Sequence, residues 1–125
     1  MEILVPISLG ELYDKFTILR VKMNRIEDEE KLKNIIKELD LLKQITSKHP
    51  IEAHFMIDLY NVNDHIWVTE DNIRKKEQKK EYDDIFVSFA RDIYHNNDKR
   101  AEIKREINLK YESDIIEEKS YEKYN

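Results

Sequence analysis

The sequence predicts an all-α protein: a four-helix antiparallel bundle with a short N-terminal extended segment and a short C-terminal tail. Three observations lead there. The 125 residues include one Gly and two Pro, too few turn formers for a β sandwich. Apolar residues recur at three- and four-residue spacing along most of the chain, which is the period of an amphipathic helix. Helix-start and helix-stop residues divide these stripes into four runs with short joints, and short joints make consecutive helices antiparallel neighbours.

Residues 2–6 are β-branched and apolar and end at Pro6, so they read as a short strand or an extended lead-in. Ser8 stands three residues before Glu11 in a capping-box pattern. A first helix over about residues 9–27 follows, with Leu12, Phe16, Leu19, Met23 and Ile26 as its stripe. The acidic run "EDEE" suits the start of a second helix, about 29–47, where Leu32, Ile35, Leu39 and Leu42 keep heptad spacing. Its other face is charged, so it is expected to be the most solvated helix; it can also pack on a second copy, giving a homodimer. Pro50 opens a third helix, about 51–78, striped by Phe55, Leu59, Val62, Ile66 and Ile73. Asp83 or Asp84 caps a fourth, about 84–111. Residues 113–125 form the tail, and the length fits one domain over 1–125.

Composition removes several functions. A single Gly rules out both the P-loop and the dinucleotide-binding glycine patterns. A net charge of −5 argues against nucleic acid, whose phosphates need a basic face. The absence of Cys excludes thiol chemistry and zinc ribbons, and fits a cytoplasmic protein. No apolar run approaches the roughly 18 residues of a membrane span. No cofactor is expected.

The informative feature is polarity on the wrong side of helices. At about 100° per residue, Glu11, Lys15 and Lys22 share a line beside the first helix's stripe. Asn63, Trp67, Glu70 and Arg74 border the third helix's stripe. Asn97, Arg100, Lys104 and Asn108 run among Phe86, Ile93, Ile107 and Tyr111 on the fourth. Burying charge is costly unless it is paired. Lys15, Lys22, Arg74, Arg100 and Lys104 make five cations against two carboxylates, Glu11 and Glu70, and surplus cations call for an anion. Arginine recognises carboxylate or phosphate through two donors at once, and Trp67 offers a ring face. These residues are the candidate ligand-binding set, with Glu70 or Glu11 as acid/base if a reaction occurs. The competing reading is structural: long cationic side chains snorkel, and the seams pair among themselves.

Other constellations are weaker. The four His never occur as E-x-x-H, and Asp92 with His95 share i, i+3 spacing on an outward face, so no metal site is expected. Ser8, Thr17 and Ser88 lack a nearby His and Asp, which leaves nucleophilic catalysis unsupported.

The segments "ILVPISLGELYDKFTIL", "NVNDHIWVTEDNIR", "ARDIYHNNDKRAEIKREIN" and "EEKSYEKY" resemble an uncharacterised domain-of-unknown-function family of small bacterial and viral proteins. The resemblance spans nearly the whole chain and lies in the combination of motifs. Its motif positions here are Glu11, Asp14, Lys15, Asn63, Trp67, Glu70, Asp71, Arg74, Asn97, Asp98, Arg100, Lys104 and Asn108. Phe16 stands where Ile is commoner. The resemblance implies a tendency to be encoded near glycosyltransferase and surface-polysaccharide genes, and no established activity. A helical interior lined by Arg, Lys and Glu is also similar in architecture to the small helical chorismate mutases, without a motif match.

Two functions follow as expectations. One is binding, with or without turnover, of a small anionic metabolite such as a sugar nucleotide or sugar phosphate in a pocket between the first, third and fourth helices. The other is a non-catalytic adaptor or assembly protein whose inward polar residues form a salt-bridge network.

Overall fold

A computed structural model describes residues 1–124. It holds four helices: α1 (Leu9–Arg25), α2 (Glu29–Thr46), α3 (Ala53–Gln78) and α4 (Asp84–Lys110). Residues 1–7 precede α1 without regular secondary structure, and there is no strand among the described residues.

The helix starts follow from local chemistry. Ser8 Oγ accepts the Glu11 N–H at 3.1 Å, Asp28 accepts that of Lys31 at 2.9 Å, and Asp83 that of Phe86 at 3.0 Å; each satisfies a donor the first turn leaves free. α3 starts two residues later than the position of Pro50 suggests. Ile51 and Glu52 remain outside the helix, and the Glu52 N–H donates instead to the Tyr111 hydroxyl at 2.7 Å. α1 ends at Arg25, two residues short of expectation, because Ile26 turns extended (φ −89°, ψ 133°) to bring Asp28 into its capping position.

Consecutive helices run antiparallel, and α1 is the hub. It lies against α2, α3 and α4, whereas α2 neighbours α1 alone among the helices. α1 and α4 meet antiparallel, Gly10 opposite Asn108 and Asp14 opposite Arg100. The apolar core is Leu12 and Tyr13 of α1, Phe55 and Leu59 of α3 and Ile107 of α4. Tyr13 also donates to the carbonyls of Thr46 (3.2 Å) and His49 (2.6 Å), fastening the end of α2. α2 buries only Ile35 and Thr46, in line with its charged outer face. α3 and α4 have 26 and 27 residues and α1 has 17, or about 40 Å against about 25 Å. The α3–α4 hairpin therefore projects beyond the shelter of α1. No described helix is long and apolar enough to cross a membrane.

Candidate functional site

The polar interior is assembled on a line of α1 that the seam count passes over. Gly10, Asp14, Thr17 and Val21 follow +4, +3, +4 and all four are buried. At Gly10 the backbone of α4 comes so close that a Cβ would lie 2.5 Å from the Lys104 carbonyl oxygen. The first-turn donors of α1 are satisfied partly from across the molecule. Gly10 N–H donates to Asn108 Oδ1 at 2.7 Å and Leu9 N–H to Ser113 Oγ at 3.1 Å.

Asp14, with no exposed surface, is the centre of the network. Its Oδ1 accepts from Arg100 Nε at 2.8 Å and from Asn63 Nδ2 at 3.0 Å, and its Oδ2 from Arg100 Nη2 at 2.5 Å. Asn63 also donates to Thr17 Oγ1 at 3.1 Å. Lys104, 6% exposed, donates to Glu11 at 2.7 Å and to Glu117 of the tail at 3.1 Å, and lies 3.7 Å from Asp14. Burial alone would raise the Asp14 carboxyl, but the Arg100 hydrogen bonds and charge, with Asn63 and Lys104, hold it below its ordinary value. Burial would likewise lower Lys104; Glu11, Asp14 and Glu117 hold it above the usual lysine value. Glu117 is lowered by its hydrogen bond from Lys104.

This arrangement corrects the expected surplus of cations. Arg100 and Lys104 meet three carboxylates, Asp14, Glu11 and Glu117, and Lys15, half exposed, adds one cation 3.6 Å from Glu11. The polar interior is held by ion pairs among Asp14, Arg100, Lys104 and Glu11. The network unites Glu11, Asn63, Arg100 and Lys104 of the candidate residues, with Lys15 at its edge; Asn108 is tied to the Gly10 N–H instead. Asn97 is half-buried beside Arg100, whose Nη1 lies 3.5 Å from its Oδ1. Lys22 and Trp67 are half-buried. Arg74 is 78% exposed at the side chain, its amino group 4.0 Å from the part-exposed Glu70, because α1 ends before it can cover that stretch of α3. The seam on α3 thus begins inside and runs out into solvent.

Spacing alone missed the central place of Asp14, which enters the sequence reading only as a motif position of the resemblance, and the partners of the tail. The tail lies against α4: Glu117 reaches Lys104, Glu118 reaches Arg105 at 3.1 Å, and the Tyr124 hydroxyl donates to Asp98. Between tail and helix opens a cleft of about 680 Å³, lined among others by Tyr94, Asn97, Asp98, Arg100, Lys119 and Tyr124. The Tyr94 and Tyr124 rings meet edge to face at 5.1 Å. Asp98 pushes the Tyr124 hydroxyl up to about 12. Arg100, 28% exposed at the side chain, presents its remaining edge here.

His65 and Asp92 also meet, at 2.6 Å across α3 and α4, a pairing of two helices that i, i+3 counting on one helix does not see. No group of three or more His, Cys, Asp or Glu placed to hold a metal occurs among the described residues.

Compared with known proteins, residues 3–124 match the model of the Family of unknown function (DUF6165). The chain belongs to this family. No curated protein and no solved structure matches it. The DUF6165 match extends over all four helices and the tail, so the α4–tail cleft and the Asp14 network both lie inside the family's span.

Proposed function

We propose that this DUF6165 chain binds a small phosphorylated sugar or sugar nucleotide in the cleft between α4 and the C-terminal tail. The observation that carries this reading is the cleft itself, where tyrosine rings, sugar-type hydrogen-bonding groups and cationic heads share one space of about 680 Å³. That volume lies in the range of small-molecule sites. Tyr94 and Tyr124 offer ring faces to a sugar's C–H face. Asp98 and Asn97 accept hydrogen bonds from its hydroxyls. Arg100 and Lys119 attract the phosphate. The resemblance to proteins encoded near surface-polysaccharide genes favours a role in cytoplasmic steps of glycan biosynthesis. Glu11 is tied to Lys104 and Lys15 and Glu70 lies on α3 beside Arg74; either would serve as acid/base if a reaction occurs, and the proposal itself is binding.

The test is thermal stability with sugar phosphates, nucleotide sugars and inorganic phosphate, against chloride at matched ionic strength. A ligand at 100 times its Kd stabilises the folded state by about 2.7 kcal/mol. The gain is expected in wild type and reduced in Tyr94→Ala and Lys119→Ala. Absence of specific stabilisation across the panel would overturn the reading.

A second reading is favoured by one observation, the closure of the Asp14–Arg100–Lys104 network. In that reading the polar residues only hold the bundle together and the chain is an adaptor. It predicts no response to any ligand of the panel.

A further inference from the structure

We propose that Lys104 and Asn108 form an oxyanion subsite for a phosphoryl group, held in the unliganded protein by the Glu117 carboxylate of the tail. The inference rests on the α4–tail cleft as the ligand site and says where the charged end of the ligand goes.

A second cavity, about 220 Å³, adjoins the main cleft and is lined by Lys104, Arg105, Asn108, Glu117, Glu118 and Lys119 together with Ala101. Ala101, Lys104 and Lys119 line both, so the two spaces share a wall. Asn108 is 1% exposed. Its Oδ1 is occupied by the Gly10 N–H, but its Nδ2 has no acceptor. Buried amide donors are almost always paired, and Asn108 is among the residues around a space several times larger than the roughly 30 Å³ of one water.

The three carboxylates around Lys104 are not equivalent. Asp14 is fully buried and tied to Arg100 and Asn63. Glu11 sits on a helix and is 26% exposed. Glu117 sits on the tail, outside any helix, and is 37% exposed, so it is the one that can leave. It satisfies Lys104 and leaves the Asn108 donor empty. A tetrahedral phosphoryl group has enough oxygens to accept from Lys104 and Asn108 together, with Arg105 or Lys119 taking another. A flat carboxylate has fewer. The subsite therefore selects phosphoryl ligands, and Glu117 is the internal competitor they displace.

The experiment uses the full chain and inorganic phosphate, followed by ¹⁵N NMR at the Asn108 side-chain amide. Phosphate should shift that resonance, and acetate at equal ionic strength should shift it less. Glu117→Gln removes the competing charge while keeping the shape. It should tighten phosphate on the order of tenfold, as expected for one charge-assisted hydrogen bond. Asn108→Asp keeps the acceptor for Gly10 and should abolish phosphate binding in both backgrounds. If Asn108→Asp does not fold, the Asn108 shift in Glu117→Gln decides. An unmoved Asn108 amide, or a Glu117→Gln chain that binds phosphate no tighter than wild type, overturns the subsite. If sugar phosphates stabilise wild type while Glu117→Gln changes nothing, the cleft reading stands and this inference falls. If inorganic phosphate binds as described and a sugar adds nothing, the subsite stands and the sugar reading falls.

Discussion

Near its C-terminal end, α4 buries Lys104 at 6% and Asn108 at 1% exposure, while near its N-terminal end it leaves Ile85 54% and Val87 51% exposed. Hydropathy alone would order these residues the other way. The difference lies in what covers each half. The C-terminal half packs against α1, α3 and the tail; Glu11, Asp14 and Glu117 are its partners, and Asn63 of α3 steadies Asp14. The N-terminal half has α3 on one side, tied across by the His65–Asp92 pair and by Lys76 with Asp83. A charged residue goes inside where its partners are built in, and an apolar one stays outside where no third helix arrives.

The strongest way to break this contrast is to remove Asp14. Asp14→Ala leaves Arg100 and Lys104 without their shared carboxylate. Breaking a buried pair on one side costs roughly 3–5 kcal/mol, and that loss should appear in urea unfolding as a lower midpoint with an unchanged slope. A loss under about 1 kcal/mol would show that the network is only a rim and would dissolve the contrast.

Acid tests the same group without mutation. Asp14 is lowered in the folded state by Arg100, Asn63 and Lys104 against its burial. Its contribution is therefore complete above its unfolded value, about 3.9, and is lost as pH falls through the lower folded value. Lys104 is raised, so its contribution is complete below about 10.4 and is lost as pH rises through its folded value. Stability should be flat between, and Asp14→Asn should flatten the acid limb. An acid limb unchanged in Asp14→Asn would assign the acid loss to other carboxylates.

Gly10 sharpens the contrast on the backbone. Gly10→Ala places a methyl group 2.5 Å from the Lys104 carbonyl oxygen and 3.0 Å from Asn108 Oδ1. Backbone must shift to admit it, and overpacking of this kind costs about 1–3 kcal/mol. An Ala variant as stable as wild type would mean that α1 and α4 part easily.

The sequence carries the helices and their order because capping residues and apolar periods are local. Ser8, Asp28 and Asp83 each act within three residues of themselves. The site is legible in pieces. Arg100, Lys104 and Asn108 could be found from their inward line on α4. Asp14 could not be found among the charged seams, because its line is Gly10, Thr17 and Val21, a row without another charge. Its partner Arg100 is 86 residues away, and nothing local pairs them. Arg74 misleads for the opposite reason: helical phase gives the face of α3 but not where α1 stops covering it. Glu117 lies in the segment "EEKSYEKY" of the resemblance, but its pairing with Lys104 could not be found because the tail has no period to read.

The smallest effect belongs to the exposed half of α4. Ile85→Ser and Val87→Ser remove apolar surface that is already more than half in water, so each should move stability by no more than about 0.5 kcal/mol. The same half should exchange its amide hydrogens faster than residues 100–108. Few buried contacts hold it, and opening the far end of the hairpin breaks no buried ion pair. Exchange therefore separates two cases that the substitutions alone confuse. If the exposed half exchanges early and the substitutions are silent, Ile85 and Val87 are surface residues of a locally weak arm. If it is protected to the level of residues 100–108 and the substitutions destabilise the protein in a concentration-dependent way, the arm is covered in solution by a second copy, and the comparison between the two halves of α4 holds only for the single chain.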